Sequence, residues 1–220
     1  MSLTDTGSLS PSTQDYLKAL WSLGEWDPAG ITVTALAERL GVRTSTASDG
    51  VRKLADQGFV EHAPYGAIVL TPAGTAHALA MVRRHRLIET FLEQELGYSW
   101  DEVHDEAEAL EHAVSDTFLA RIDERLGHPT RDPHGDPIPP ASGPPPAPDA
   151  VLLASVTPGT RAVVTRISDA SPERLRAFAA AGILPDAVVT LRTDGELAVG
   201  QATYLLAEGD AEALWVSPAP

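Results

Sequence analysis

Half of the chain's 18 prolines fall in the stretch His128–Ala150, HPTRDPHGDPIPPASGPPPAPDA. Proline lacks the amide hydrogen and fixes φ, so neither a regular helix nor a central strand runs through such a stretch. The chain therefore folds as two parts, with residues 128–150 expected to be a locally stiff linker that packs against nothing. Before the linker the apolar residues recur at helical spacing; after it they come in short runs broken by turns. The expected class is α+β.

In the N-terminal part, residues 12–23 (STQDYLKALWSL) read as a helix with Ser12 or Thr13 as N-cap and Tyr16, Leu17, Leu20 and Leu23 on its apolar face. A helix around Val33 to Leu40, a turn at Gly41-Val42 and a second helix from Thr44 to about Gln57 follow, with Gly58 as its stop. FVEHA and AIVLT, joined by a Pro64-Tyr65-Gly66 turn, read as two short strands. Helix, tight turn, helix and hairpin make a winged helix-turn-helix, assigned to residues 1–72.

The start of the second helix, TSTASDG, is small and polar, which suits insertion into a major groove. Candidate DNA contacts are Arg43, Thr44, Ser45, Thr46, Ser48, Asp49, Arg52 and Lys53, with Tyr65 in the wing. Arg43, Arg52 and Lys53 suit phosphates, and Asp49 can accept from a cytosine amino group. The competing reading is an ordinary polar helix surface. So few cations give one copy a weak hold on DNA, which makes dimerisation important.

Residues 73–127 carry more apolar helix than a small winged domain needs. Thr71-Pro72 opens a helix running to about Leu96 and Gly97, and DTFLARIDERLG reads as another. A dimer interface accounts for the excess. Between these helices, WDEVHDEAEALEHAV places His104, Glu108, Glu111 and His112 within one sector of a helix surface, beside an apolar stripe of Val103, Ala107, Leu110 and Val114. His85 and Glu89 form a second pair four residues apart, and Asp15 lies on the first helix. Imidazoles and carboxylates that converge from three helices suggest a metal; a solvated acidic face is the alternative.

Composition limits the chemistry. The chain has no cysteine, so any metal must be held by oxygen and imidazole nitrogen. The net charge of −15 argues against nucleic acid in bulk, but much of the excess falls between Glu93 and Glu124, and residues 1–90 are near balance. No apolar run reaches membrane-spanning length and the start, MSLTDTGSLS, is no signal peptide, so a soluble cytoplasmic protein with no membrane partner is expected. Residues 151–220, with a short helix at SPERLRAFAAAG among β runs, suit a small antiparallel SH3-like barrel. They show no catalytic constellation. The chain has no HExxH run and no evident nucleophile, so a metallohydrolase is disfavoured and the expectation is a protein that is not an enzyme. A metal-independent winged-helix interaction protein is the other alternative.

The strings MVRRHRLIETFL, VHDEAEALEHAVSD and DPHGDPIP resemble the diphtheria toxin repressor family of metal-dependent transcription regulators. The C-terminal segment is similar to that family's SH3-like, FeoA-type domain. The resemblance implies a homodimer that binds a palindromic double-stranded DNA operator when loaded with a divalent transition metal, controlling metal-homeostasis genes. It implies a primary metal site at Asp15, Glu108, Glu111 and His112, and an ancillary site at His85, Glu89 and His104. Iron-type members place methionine where this chain has Asp15 and cysteine where it has Glu108, whereas manganese-type members place acids at both. Hard oxygen donors suit Mn²⁺, the expected cofactor, with Fe²⁺ the alternative. One position departs: manganese-type members often carry a second acid one turn after Asp15, where this chain has Lys18. In the C-terminal domain the region matched to the family's ligands is Ser171 to Arg174, and no ligand is assigned from it.

Overall fold

The first helix starts at a serine and a proline. The Ser10 hydroxyl accepts from the Thr13 amide at 3.3 Å, and Pro11 takes the first helical position, where a missing N–H costs nothing. Helix α1 (Pro11–Trp26) thus begins ahead of the Ser12 or Thr13 cap expected from sequence. The computed structural model describes residues 9–26, 30–63, 66–141, 143, 145–146, 149–193 and 195–219. These divide into two compact units, 9–85 with 111–119 and 139–145, and 86–110 with 120–138 and 146–219.

The first unit holds α1, α2 (Val33–Arg39), α3 (Thr44–Asp56) and the antiparallel pair β1 (Val60–His62) and β2 (Ile68–Leu70), in which Val60 faces Leu70. Thr32 caps α2, its side-chain oxygen accepting from the Ala35 amide at 3.1 Å. Leu17, Leu20, Leu36, Val51, Leu54, Val60, Ile68 and Ala78 close the core. That is the winged helix-turn-helix read from sequence. The Tyr65 tip of its wing lies outside the described residues. Thr71 accepts from the Gly74 amide at 3.1 Å and so caps α4 (Pro72–Leu96), as expected.

One contact in this unit is unusually close. The Tyr16 ring of α1 lies against Gly50 of α3, where any Cβ would collide with it, and the Tyr16 hydroxyl donates to the Thr46 carbonyl at 3.3 Å. α1 and α3 are thereby seated on one another.

The second unit holds the end of α4, α5 (Val103–Leu110) and most of α6 (Asp116–Arg125), followed by the C-terminal domain. That domain has strands β3 (Val151–Leu152), β4 (Arg161–Ile167), β5 (Val188–Leu191), β6 (Glu196–Val199), β7 (Ala202–Leu205) and β8 (Leu214–Pro218). They form one antiparallel sheet in the order β3-β8-β4-β5-β6-β7. Helix α7 (Pro172–Ala180), capped by Ser171, buries Leu175 and Phe178 in a core with Val164, Ile167, Ile183, Leu197 and Leu214.

The expectation that residues 128–150 pack against nothing does not hold for 132–138. Asp132, His134, Asp136 and Ile138 are buried, and Ile138 packs on Leu87 and Ile122. The Asp132 carboxylate accepts from the amides of His134 and Asp136, both at 2.9 Å, so the side chain closes the turn that proline cannot. The turn then docks on β4: the Ile167 amide donates to the His134 carbonyl at 2.8 Å, and a Cβ on Gly135 would fall on the Thr165 carbonyl oxygen. Proline-rich composition hides this because the anchoring groups are the residues between the prolines.

Candidate metal centres and nucleic-acid face

Helix α5 ends at Leu110, and this changes the site. The Arg84 guanidinium donates to the carbonyls of Glu111, at 2.9 Å, and Val114, and to Asp116 Oδ1 at 2.6 Å. These bonds satisfy carbonyls at the helix end and hold residues 111–114 as a turn. His104, Glu108, Glu111 and His112 therefore do not share one regular helical face, as the spacing suggests. Glu111 and His112 belong to the first unit, His104 and Glu108 to the second.

In the first unit Asp15, Glu111 and His112 each offer one donor atom, all within 4.8 Å of one another. His112 Nε2 lies 2.7 Å from Asp15 Oδ1 and 3.6 Å from Glu111 Oε1. The other ring nitrogen, Nδ1, donates to Gln14 Oε1 at 2.8 Å, which turns Nε2 towards the two acids. Glu111 is fully buried. Its Oε1 is 2.5 Å from Lys18 Nζ and its Oε2 is 2.7 Å from His85 Nδ1. Burial pushes the Glu111 carboxyl up, but the hydrogen bond and charge of His85, with Lys18, outweigh it and leave the group lowered.

In the second unit His104 is the hub. Its Nδ1 lies 2.9 Å from Asp169 Oδ2 and 3.3 Å from Glu89 Oε1, and its Nε2 is 3.7 Å from Glu108. Burial pulls the imidazole down, but hydrogen bonds and charges from Asp169 and Glu89 raise it to about 10. Glu89 also stands within 4.8 Å of donor atoms on Asp132 and His134. His134 Nε2 donates to the Trp100 carbonyl at 2.7 Å, and its ring stacks on Trp100 at 5.7 Å between centroids. Asp132 is pushed up, first by burial and then by Asp136 and Glu89.

Asp169, Asp132 and His134 are donors that sequence reasoning did not single out. Asp169 precedes the Ser171 cap by two residues, where an acid reads as loop or capping chemistry. The DPHGDPIP string was a usable signal, masked by its prolines. The donors in these groups are carboxylates and imidazoles, a set that fits a divalent transition ion and offers no soft sulfur.

On α3 the residues facing the core are Ala47, Val51 and Leu54, which leaves Arg43, Thr44, Ser45, Thr46, Ser48, Asp49, Arg52 and Lys53 exposed. Asp49 pairs with Arg52 at 2.8 Å, so neither is an independent charge on this surface. No side chain caps the N-terminus of α3, and its first amides point out of the helix.

Comparison with known proteins adds the following. Residues 8–68 match the iron dependent repressor N-terminal DNA binding domain, residues 71–140 the metal binding and dimerisation domain of the same repressors, and residues 151–218 the FeoA domain. The iron-dependent repressor IdeR of Mycobacterium tuberculosis is 32% identical over 199 residues, 84% of this chain and 85% of that one. The diphtheria toxin repressor of Corynebacterium diphtheriae is 35% identical over 133 residues, 60% of this chain and 58% of that one. Among solved structures, a manganese-dependent transcriptional repressor in complex with manganese superposes with a TM-score of 0.89 at 51% identity, covering 94% of this chain and all of that one. The manganese regulator SloR gives 0.82 at 28% identity, covering 96% and 100%.

Proposed function

The chain belongs to the iron-dependent repressor family, and from that premise we propose that it is a manganese-dependent DNA-binding transcriptional regulator of metal-homeostasis genes, acting as a homodimer on a palindromic operator. The observation that carries this reading is the approach of Asp15, Glu111 and His112 to within 4.8 Å, a hard-donor set reaching from α1 to the turn after α5. A second set, Glu89, His104 and Asp169, draws its last oxygen from the C-terminal domain. Assigning Glu108 to the first ion and His85 to the second follows the family resemblance. Iron is the second reading, favoured by the iron-dependent repressor among the sequence relatives. The carboxylates at positions 15 and 108 argue for the harder ion. No helix among the described residues is long and apolar enough to cross a membrane.

A bound divalent ion supplies positive charge between acids that otherwise repel. The protein converts this into DNA binding through α1. Asp15, tied to His112 and Glu111, fixes α1 against the turn; Tyr16, the next residue, seats α1 on α3 through Gly50 and Thr46. A few kcal/mol of differential affinity between DNA-competent and incompetent states suffices for the switch. The test is operator binding titrated against buffered free Mn²⁺, Fe²⁺, Co²⁺ and Zn²⁺. Binding that appears with Mn²⁺ and is lost on chelation is the expected result. Equal binding in chelator and in metal overturns the proposal.

A further inference from the structure

We propose that Lys18 is a tethered counter-cation that holds Glu111 in the metal-free protein and sets how tightly Asp15, Glu111 and His112 take a divalent ion. This rests on the reading of those three residues as a metal site. The Glu111 carboxylate is fully buried and both its oxygens are engaged, Oε1 by Lys18 Nζ at 2.5 Å and Oε2 by His85 Nδ1 at 2.7 Å. Lys18 Nζ also lies 3.5 Å from His85 Nδ1, so the three groups close on one another. The oxygen held by Lys18 is the one that stands 3.6 Å from His112 Nε2. Lysine and a divalent ion therefore compete for one atom.

Position 18 is almost one turn after Asp15, so α1 delivers a ligand and a cation to the same cleft. The lysine side chain is only 9% exposed, and a buried amine is costly unless it is paired. Its pairing spares the first unit a buried, unbalanced carboxylate when no ion is present. The same charge disfavours a second cation a few ångströms away. The two effects have opposite signs: Lys18 stabilises the metal-free fold and weakens metal binding, so it raises the free metal concentration at which the site fills.

The test compares Lys18 with Lys18→Met, Lys18→Gln and Lys18→Arg, all in a His104→Ala background so that the His104 set does not contribute. Mn²⁺ affinity is measured by calorimetry, and thermal unfolding is followed with and without Mn²⁺. Removing the charge is expected to tighten Mn²⁺ binding on the order of ten- to a hundredfold, while Lys18→Arg stays close to native. The uncharged variants should also lose stability without metal and gain more from it. Unchanged or weaker Mn²⁺ binding in Lys18→Met and Lys18→Gln, or an equal loss of stability in both forms, overturns the proposal and leaves Lys18 a structural ion pair. Should the uncharged variants not fold, nitrogen NMR of the native protein decides. The Lys18 ammonium signal should move on adding diamagnetic Zn²⁺, and a signal that stays in place overturns the proposal. Native protein that takes up no Mn²⁺ would instead remove the metal site itself, a separate failure.

Discussion

The two donor clusters solve the same electrostatic problem in different ways. Around Glu111 a buried carboxylate is balanced by a lysine and an imidazole, and the group is held ionised. Around Glu89 the neighbours include two more acids, Asp169 and Asp132, and the balance is met with protons: His104 is raised to about 10 and Asp132 is pushed up as well. One cluster balances its buried charge with a tethered cation, the other with mobile ones. Metal binding should therefore release protons at the second cluster and displace an amine at the first.

The largest expected effect separates their roles in DNA binding. Asp15→Ala or His112→Ala should weaken Mn²⁺-dependent operator binding by about a hundredfold, since each removes a ligand and the hold of α1 on the turn. His104→Ala should cost about tenfold, because Glu89, His104 and Asp169 are supplied by elements other than α1. Gel-shift titration at fixed free Mn²⁺ checks both, and a larger loss in His104→Ala would reverse the assignment.

Proton counting sharpens the comparison. Near neutral pH, Mn²⁺ binding should release about one proton from His104, so apparent affinity at that cluster rises about tenfold per pH unit until the raised imidazole value is approached. Calorimetry in buffers of different ionisation enthalpy reads this release, and it should vanish in His104→Ala. Release that persists in His104→Ala would place the proton elsewhere.

Without metal the two clusters should fail at opposite ends of the pH scale. The His104 value is raised from about 6.5, so its contribution is complete below that pH and is lost as pH rises towards about 10. The Glu111 value is lowered from 4.5, so its contribution is present above that pH and is lost as pH falls through the lowered value. Thermal unfolding of chelated protein should thus show an alkaline loss that flattens in His104→Ala and an acid loss that does not. The smallest expected effect is in selectivity: Asp15→Met with Glu108→Cys should shift preference from Mn²⁺ towards Fe²⁺ by about tenfold, measured in competition with buffered metals.

Much of the fold was legible because its signals are local. Gly58 stops α3 and Thr71-Pro72 opens α4 where the sequence places them, and α7 falls within the SPERLRAFAAAG run. The site was legible as a set of residues and less so as an arrangement. What ends α5 at Leu110 is Arg84, 27 residues upstream of the carbonyl it binds at Glu111, and no periodicity reports such a clip. Asp169 was missed because a loop acid before a helix has a capping explanation at hand. The buried turn at 132–138 was missed because the carboxylate of Asp132 and the absent side chain of Gly135, not apolar spacing, hold it in place.

The bare backbone at Gly50 divides α3 lengthwise. One edge is spoken for: Gly50→Ala should cost about 1–3 kcal/mol by driving a methyl into the Tyr16 ring. Thr44, Ser45 and Ser48 project from the helix without lying in that seam. Under the proposed function, operator preference is free to drift, or be redesigned, through those outward positions while the seam between α1 and α3 is inherited intact.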